Sequence, residues 1–167
     1  MKKIYYLAIC MAGMMLFSSC LSLAPTSITR HASLDGYKYF YVTPTAERNA
    51  VKGNTYGNKG NVYGSTRSSS VNPADLIAGY MMNRGYVRVP EVKAQDAKQT
   101  IVINYGDGNV REGIFDEHAI VVTIQMLNGE TNDLLCVCSA DDKGGDEAQA
   151  IRNALEKALN EVFLQRP

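Results

Sequence analysis

Tryptophan is absent, histidine occurs only twice, and 17 acidic residues balance 17 basic ones in a chain of 167. A formal charge of zero leaves no basic footprint for nucleic acid, whose recognition starts from a cationic face. With only His31 and His118, most imidazole-based acid–base and metal chemistry has no residues to use. No Gly-x-Ser-x-Gly elbow, phosphate-cradling glycine loop or His-Glu-x-x-His sequence occurs. The expectation is therefore a protein that is not an enzyme and holds no cofactor and no resident metal. Long apolar runs are missing too. The clearest, Ile4 to Phe17, is too short to cross a hydrocarbon core of roughly 30 Å comfortably.

What that short run does instead is read from its flanks. Lys2 and Lys3 form a cationic start, and Phe17-Ser18-Ser19-Cys20 closes the run with small residues before a cysteine. This is the pattern of a bacterial lipoprotein signal peptide, removed at residue 19, with Cys20 taking the lipid. A thiol is nucleophilic enough to accept diacylglycerol as a thioether. A further palmitate-type chain on the freed amine gives two-chain anchoring, where one chain alone is marginal. The membrane is thus the first expected partner, through lipidated Cys20. Leu21-Ser22-Leu23 carries no acidic cluster, which favours an outer-membrane position facing the periplasm over export to the cell exterior.

Removal of residues 1–19 takes Lys2 and Lys3 with it, leaving 15 basic against 17 acidic residues, a net charge of −2. The remaining length suits one domain with a real core. Residues 20–35, with Pro25 and no periodicity, are expected as a tether, and 36–167 as a single domain. Apart from Cys20, the cysteines after the cut are Cys136 and Cys138. Two apart on an expected strand, they share a face with Cα atoms about 6.6 to 6.8 Å apart, so a bridge would need a distorted strand. Buried small side chains are the simpler reading.

Along the domain, Tyr37 to Thr43 alternates as a strand, with Phe40 and Val42 on one face and Tyr37, Tyr39 and Tyr41 on the other. Residues 45–71 form a long Gly/Asn/Tyr loop with an imperfect repeat around Tyr56 and Tyr63, expected to be mobile or to fold over the tyrosine stripe. Asn72-Pro73 starts a helix and Gly85 stops it. Tyr86–Val89, Thr100–Tyr105, His118–Leu127 and Leu134–Ala140 read as strands, with a turn at Gly106–Asn109 and a connection at Asn128–Asp133. Asp146 and Gln149 form a capping box before a final amphipathic helix. The expected fold is α+β: a two-layer sandwich of a mostly antiparallel four- to five-stranded sheet with two helices on one face.

An open sheet face carrying Tyr37, Tyr39, Tyr41, Val121, Thr123 and Gln125 is semi-apolar and rich in the residue favoured at interfaces. It is the expected binding surface for an envelope protein partner. Tyr56 and Tyr63 offer an alternative, a glycan- or small-ligand-binding loop. Glu112, Asp116, Glu117 and His118 beside Asp107 make a loose acidic cluster whose spacing matches no calcium loop.

Tyr37-Lys38-Tyr39-Phe40-Tyr41-Val42, Asn72-Pro73-Ala74-Asp75, Arg84-Gly85-Tyr86 and Ile101-Val102-Ile103-Asn104-Tyr105-Gly106 together resemble small envelope lipoproteins of Bacteroidota. The resemblance covers nearly the whole chain after Cys20. It implies envelope location and an α/β domain, and carries no catalytic residue across. More distantly, the layout is similar to outer-membrane assembly lipoproteins such as the lipopolysaccharide-transport plug protein and the penicillin-binding-protein activators. That likeness implies action through protein partners.

Overall fold

A computed structural model describes residues 22–58, 61–113 and 117–164. Cys20 and the expected signal peptide lie outside the described residues, as does Asp116. The architecture is α+β, but the sheet is larger and less uniform than expected: seven strands of mixed direction. In chain order the strands are β1 (Ser27–Arg30), β2 (Tyr39–Val42), β3 (Arg48–Asn58), β4 (Asn61–Val71), β5 (Val87–Arg88), β6 (Thr100–Asp107), β7 (Arg111–Glu112), β8 (His118–Asn128) and β9 (Leu134–Gly144). The helices are α1 (Pro73–Met82) and α2 (Glu147–Leu164). The sheet runs β1-β9-β8-β6-β2-β5, with β7 on the flank of β8. The pairs β1–β9, β9–β8, β8–β6 and β8–β7 are antiparallel, whereas β2 lies parallel to both β6 and β5. Parallel neighbours need a crossover, and residues 43–86, including α1, supply the one from β2 to β5.

Two expectations are corrected by pairing. Residues 48–71 are a long antiparallel hairpin, β3 against β4, and the imperfect repeat becomes its two arms with Tyr56 opposite Tyr63. Its base lies on the helix side, held by Ser69 Oγ donating to Asp146 (2.9 Å), Arg152 donating to the Ser70 carbonyl (2.7 Å) and Arg48 on Asp107 (2.7 Å). It therefore does not fold over the tyrosine stripe. Within the expected tether of residues 20–35, Ser27–Arg30 form β1 on the edge of β9, and the His31 and Ala32 N–H groups both reach the Leu135 carbonyl, so this stretch is not loose.

Each strand's alternation selects the core. Phe40, Val42, Ile101, Ile103, Ile120, Val122, Ile124, Met126, Cys136, Cys138 and Ala140 fall on one face by register and are all buried. They form one cluster with Ala74, Ile77, Ala78 and Met81 of α1 and Ile151, Leu155, Leu159 and Val162 of α2, so both helices cover that face.

Helix α1 begins where Asn72 Oδ1 accepts from the Ala74 N–H (3.0 Å), with Pro73 using the position that needs no donor. It ends in a Schellman pair, Tyr86 N–H to Met81 carbonyl and Gly85 N–H to Met82 carbonyl, with Gly85 at φ +88°. At α2, Asp146 Oδ1 accepts from the Gln149 N–H (2.8 Å), but the Gln149 side chain reaches forward to Asn153 (2.7 Å), so only half of the expected capping box forms.

The expected turn at Gly106–Asn109 is a bulge. Asp107 faces Val122 and Arg111 faces Ala119, four steps on one strand against three on the other. The strand continues as β7, and the Gly113 N–H still bonds the Glu117 carbonyl (2.7 Å), so the hairpin turns later. An odd insertion reverses the faces. Odd residues of β6 face the core, yet Arg111 lies on the opposite side of the sheet.

Candidate functional site

Among the described residues no helix packs on the second sheet face. Tyr39 and Tyr41 of β2 project there beside Val102 and Asn104 of β6, followed by Val121, Thr123, Gln125 and Leu127 of β8 and Val137 and Ser139 of β9. Most are half-buried and Gln125 is exposed. Polar groups on this surface pair locally: Thr123 Oγ1 with Ser139 Oγ (2.8 Å), and Thr43 Oγ1 with Asn104 Oδ1 (3.2 Å). The Lys38 ammonium stands 5.6 Å over the Tyr39 ring. The surface is thus semi-apolar, with its hydrogen bonds largely internal, the character of a face that another protein can cover.

Tyr37 does not join the stripe. β2 begins two residues later, and the Tyr37 ring packs against the core while its hydroxyl accepts from Asn128 Nδ2 (2.9 Å). Tyr56 and Tyr63 are register partners in the hairpin; their side chains lie outside what is described. The acidic cluster is taken apart by ion pairs. Asp107 meets Arg48, Glu117 meets Lys143 (3.0 Å), and His118 lies on the core-side parity of β8, opposite Glu112. No group of three or more His, Cys, Asp or Glu residues gathers to hold a metal among the described residues.

One feature of the open face carries no sequence signature that periodicity could detect. Asp141 of β9, opposite Val121, is 1% exposed. The bulge at Gly108–Asn109 brings Arg111 to the same face, where its guanidinium binds Asp141 Oδ2. That oxygen also accepts the Ala24 N–H (2.7 Å), and Arg111 donates to the Ser22 carbonyl (3.1 Å). Asp141 Oδ1 is buried with no hydrogen-bond partner. A reversal of alternation after Gly-Asn was the available clue, readable only once the bulge is known.

Elsewhere, electrostatics are those of a packed scaffold. Burial raises the Tyr105 hydroxyl far above its ordinary range, and the nearby Asp107 carboxylate adds to this. Burial alone would also raise Asp146. The Gln149 N–H, the Ser69 hydroxyl and the charge of Arg152 outweigh it and hold the carboxyl below its usual value. Arg84 lies 3.7 Å over the Tyr80 ring and 4.8 Å over Phe163, tying the end of α1 to α2.

Solved structures share this fold, two PelC dodecamers among them. A PelC dodecamer from Paraburkholderia phytofirmans, in a variant with one leucine replaced by methionine, aligns over 85% of this chain and 98% of its own, at a TM-score of 0.53 and 13% identity. A second PelC dodecamer from the same organism aligns over 84% and 96%, at 0.51 and 14%. At such identity the likeness concerns the fold. No protein-family model and no curated protein matches the sequence. Among the described residues no helix is long and apolar enough to cross a membrane.

Proposed function

We propose that this chain is a lipid-anchored, non-enzymatic protein of the cell envelope, held by acylated Cys20 on the outer membrane facing the periplasm, that works by presenting its open sheet face to another protein. Copies of itself are the first candidate partner. The uncovered surface of Tyr39, Tyr41, Val102, Val121 and Leu127 carries this reading, because it lies opposite both helices and is too apolar for an inert exterior. The solved PelC structures of this fold are dodecamers, which supports self-association as the first arrangement to test. In a closed symmetric assembly every subunit presents the same patches to its neighbours, and the open face would be one of them.

The test is the mass of the detergent-extracted, full-length protein by light scattering, beside mild crosslinking in intact cells. Tyr39→Ala with Tyr41→Ala should leave the far-ultraviolet circular dichroism unchanged while the assembled species, or the crosslinked partner, is lost. If the double variant assembles and crosslinks like the parent, the face is wrong. If the parent is monomeric and crosslinks to nothing, the reading fails as a whole.

A further inference from the structure

The segment expected to lift the domain away from the bilayer is bonded to the domain almost from its start. The Ser22 carbonyl is held by Arg111, the Ala24 N–H by Asp141, and Ser27–Arg30 by β9. Arg30 then binds the Val162 carbonyl at the end of α2. Asp141 is a buried carboxylate, and leaving one without its partner is expensive, so the clasp is not a chance surface contact. From Cys20 to Ser22 there are two residue steps, a reach of about 7 Å fully extended. That is little more than the headgroup layer, since headgroups add only about 5–7 Å per side to the hydrocarbon core.

We infer that the end of the sheet carrying Arg111, His118 and Gly144 rests on a lipid surface, with the turn at 129–133 at the opposite end. This rests on acylation of Cys20. The domain is then clamped to the bilayer rather than suspended above it. β8 runs from His118 at the near end to Asn128 at the far one, about 33 Å at strand rise. Tyr39, which flanks Thr100 in register, belongs to the far end. The Tyr39 and Leu127 end of the open face therefore stands away from the membrane, where neighbours anchored in the same leaflet could meet it edge-on. Charge is not the cause of this orientation. At the near end Arg111 is paired with Asp141 and Lys143 with Glu117, while Glu112 is exposed, so attraction to anionic headgroups contributes little and added salt should not reverse the placement.

Depth-dependent quenching tests it. The full-length acylated protein is reconstituted into vesicles containing a headgroup-nitroxide lipid, with a fluorophore on Glu112→Cys or on Thr131→Cys; Cys136 and Cys138 are buried and free. The near label should be quenched several-fold more than the far one. A flexible Gly/Ser insert of a dozen residues between Leu21 and Ser22 leaves the clasp and fold intact and should erase that difference. Arg111→Gln, which opens the clasp, should reduce it. Equal quenching of both labels in protein whose Cys20 is acylated by mass spectrometry overturns the orientation alone. An unmodified Cys20 overturns both the orientation and the anchoring on which it rests.

Discussion

Cys136 and Cys138 point into the core from the same side of β9. Burial pushes both thiols up, and Cys138 rises to about 12, with Cys136 beside it adding to the effect. Since the thiolate is the reactive species, neither should be alkylated by iodoacetamide at pH 8 while the protein is folded, and both should react once it is unfolded in urea. Native labelling at the rate of a free thiol would contradict the burial. The same shift sets a pH dependence. In the unfolded chain these groups lose protons near their ordinary value of 9, while the folded protein keeps them protonated to higher pH. The unfolded state then binds fewer protons, so their contribution is complete below about pH 9 and declines between about 9 and 12. Denaturant midpoints measured across that window should fall more steeply for the parent than for Cys136→Ala with Cys138→Ala. At the acid end the sign is opposite. Asp146, held below its usual value, contributes fully above about pH 4 and loses that contribution as pH drops through its depressed value.

At the scale of elements, close approach decides more than propensity. Helix α2 packs through Ala148, Ala150, Ala154 and Ala158 as well as its larger apolar residues, which brings its backbone near the sheet. At Gly144 a Cβ would sit 2.4 Å from the Ala150 nitrogen and 2.7 Å from the Gln149 carbonyl carbon, rigid helix backbone that cannot move aside alone. Gly144→Ala should therefore cost about 1–3 kcal/mol, the usual range for overpacking, read as a lower urea midpoint with unchanged slope; an unchanged midpoint would mean the first turn of α2 yields freely. The helices and β8 were legible in sequence because their signals are local: Asn72-Pro73 and Asp146 satisfy orphan N–H groups, and Ile120, Val122, Ile124 and Met126 keep a strict period of two. The hairpin 48–71 was not legible. Its Gly, Asn and Ser residues have low strand propensity and little apolar periodicity, and what holds it is ladder pairing and a polar base on Asp146 and Arg152. Edge strand β1 was missed for a related reason, since four residues beside Pro25 become a strand only because β9 offers an edge.

For the whole molecule, the α+β class and the unequal faces of the sheet follow from sequence patterning, whereas strand order and direction do not. Nothing local in Tyr39–Val42 specifies parallel pairing with both β5 and β6, because those partners lie tens of residues away and choose their places through the core. The bulge that sends Arg111 across the sheet is likewise a cooperative result, and the Asp141 clasp depends on it. If the open face meets another subunit, its centre should be far more sensitive to charge than the fold is. Gln125 sits there, exposed, between Asn104 of β6 and Val137 of β9. An exposed substitution of this kind usually changes stability by no more than about 0.5 kcal/mol, while an unpaired ammonium desolvated at an interface centre opposes association strongly. Gln125→Lys is therefore expected to leave the urea midpoint within error and to shift the assembled protein to monomer in native mass spectrometry. A charge reversal at exposed Glu156, on helix α2 behind the opposite sheet face, should do neither. Equal assembly of Gln125→Lys and the parent would place the subunit contact elsewhere on the domain.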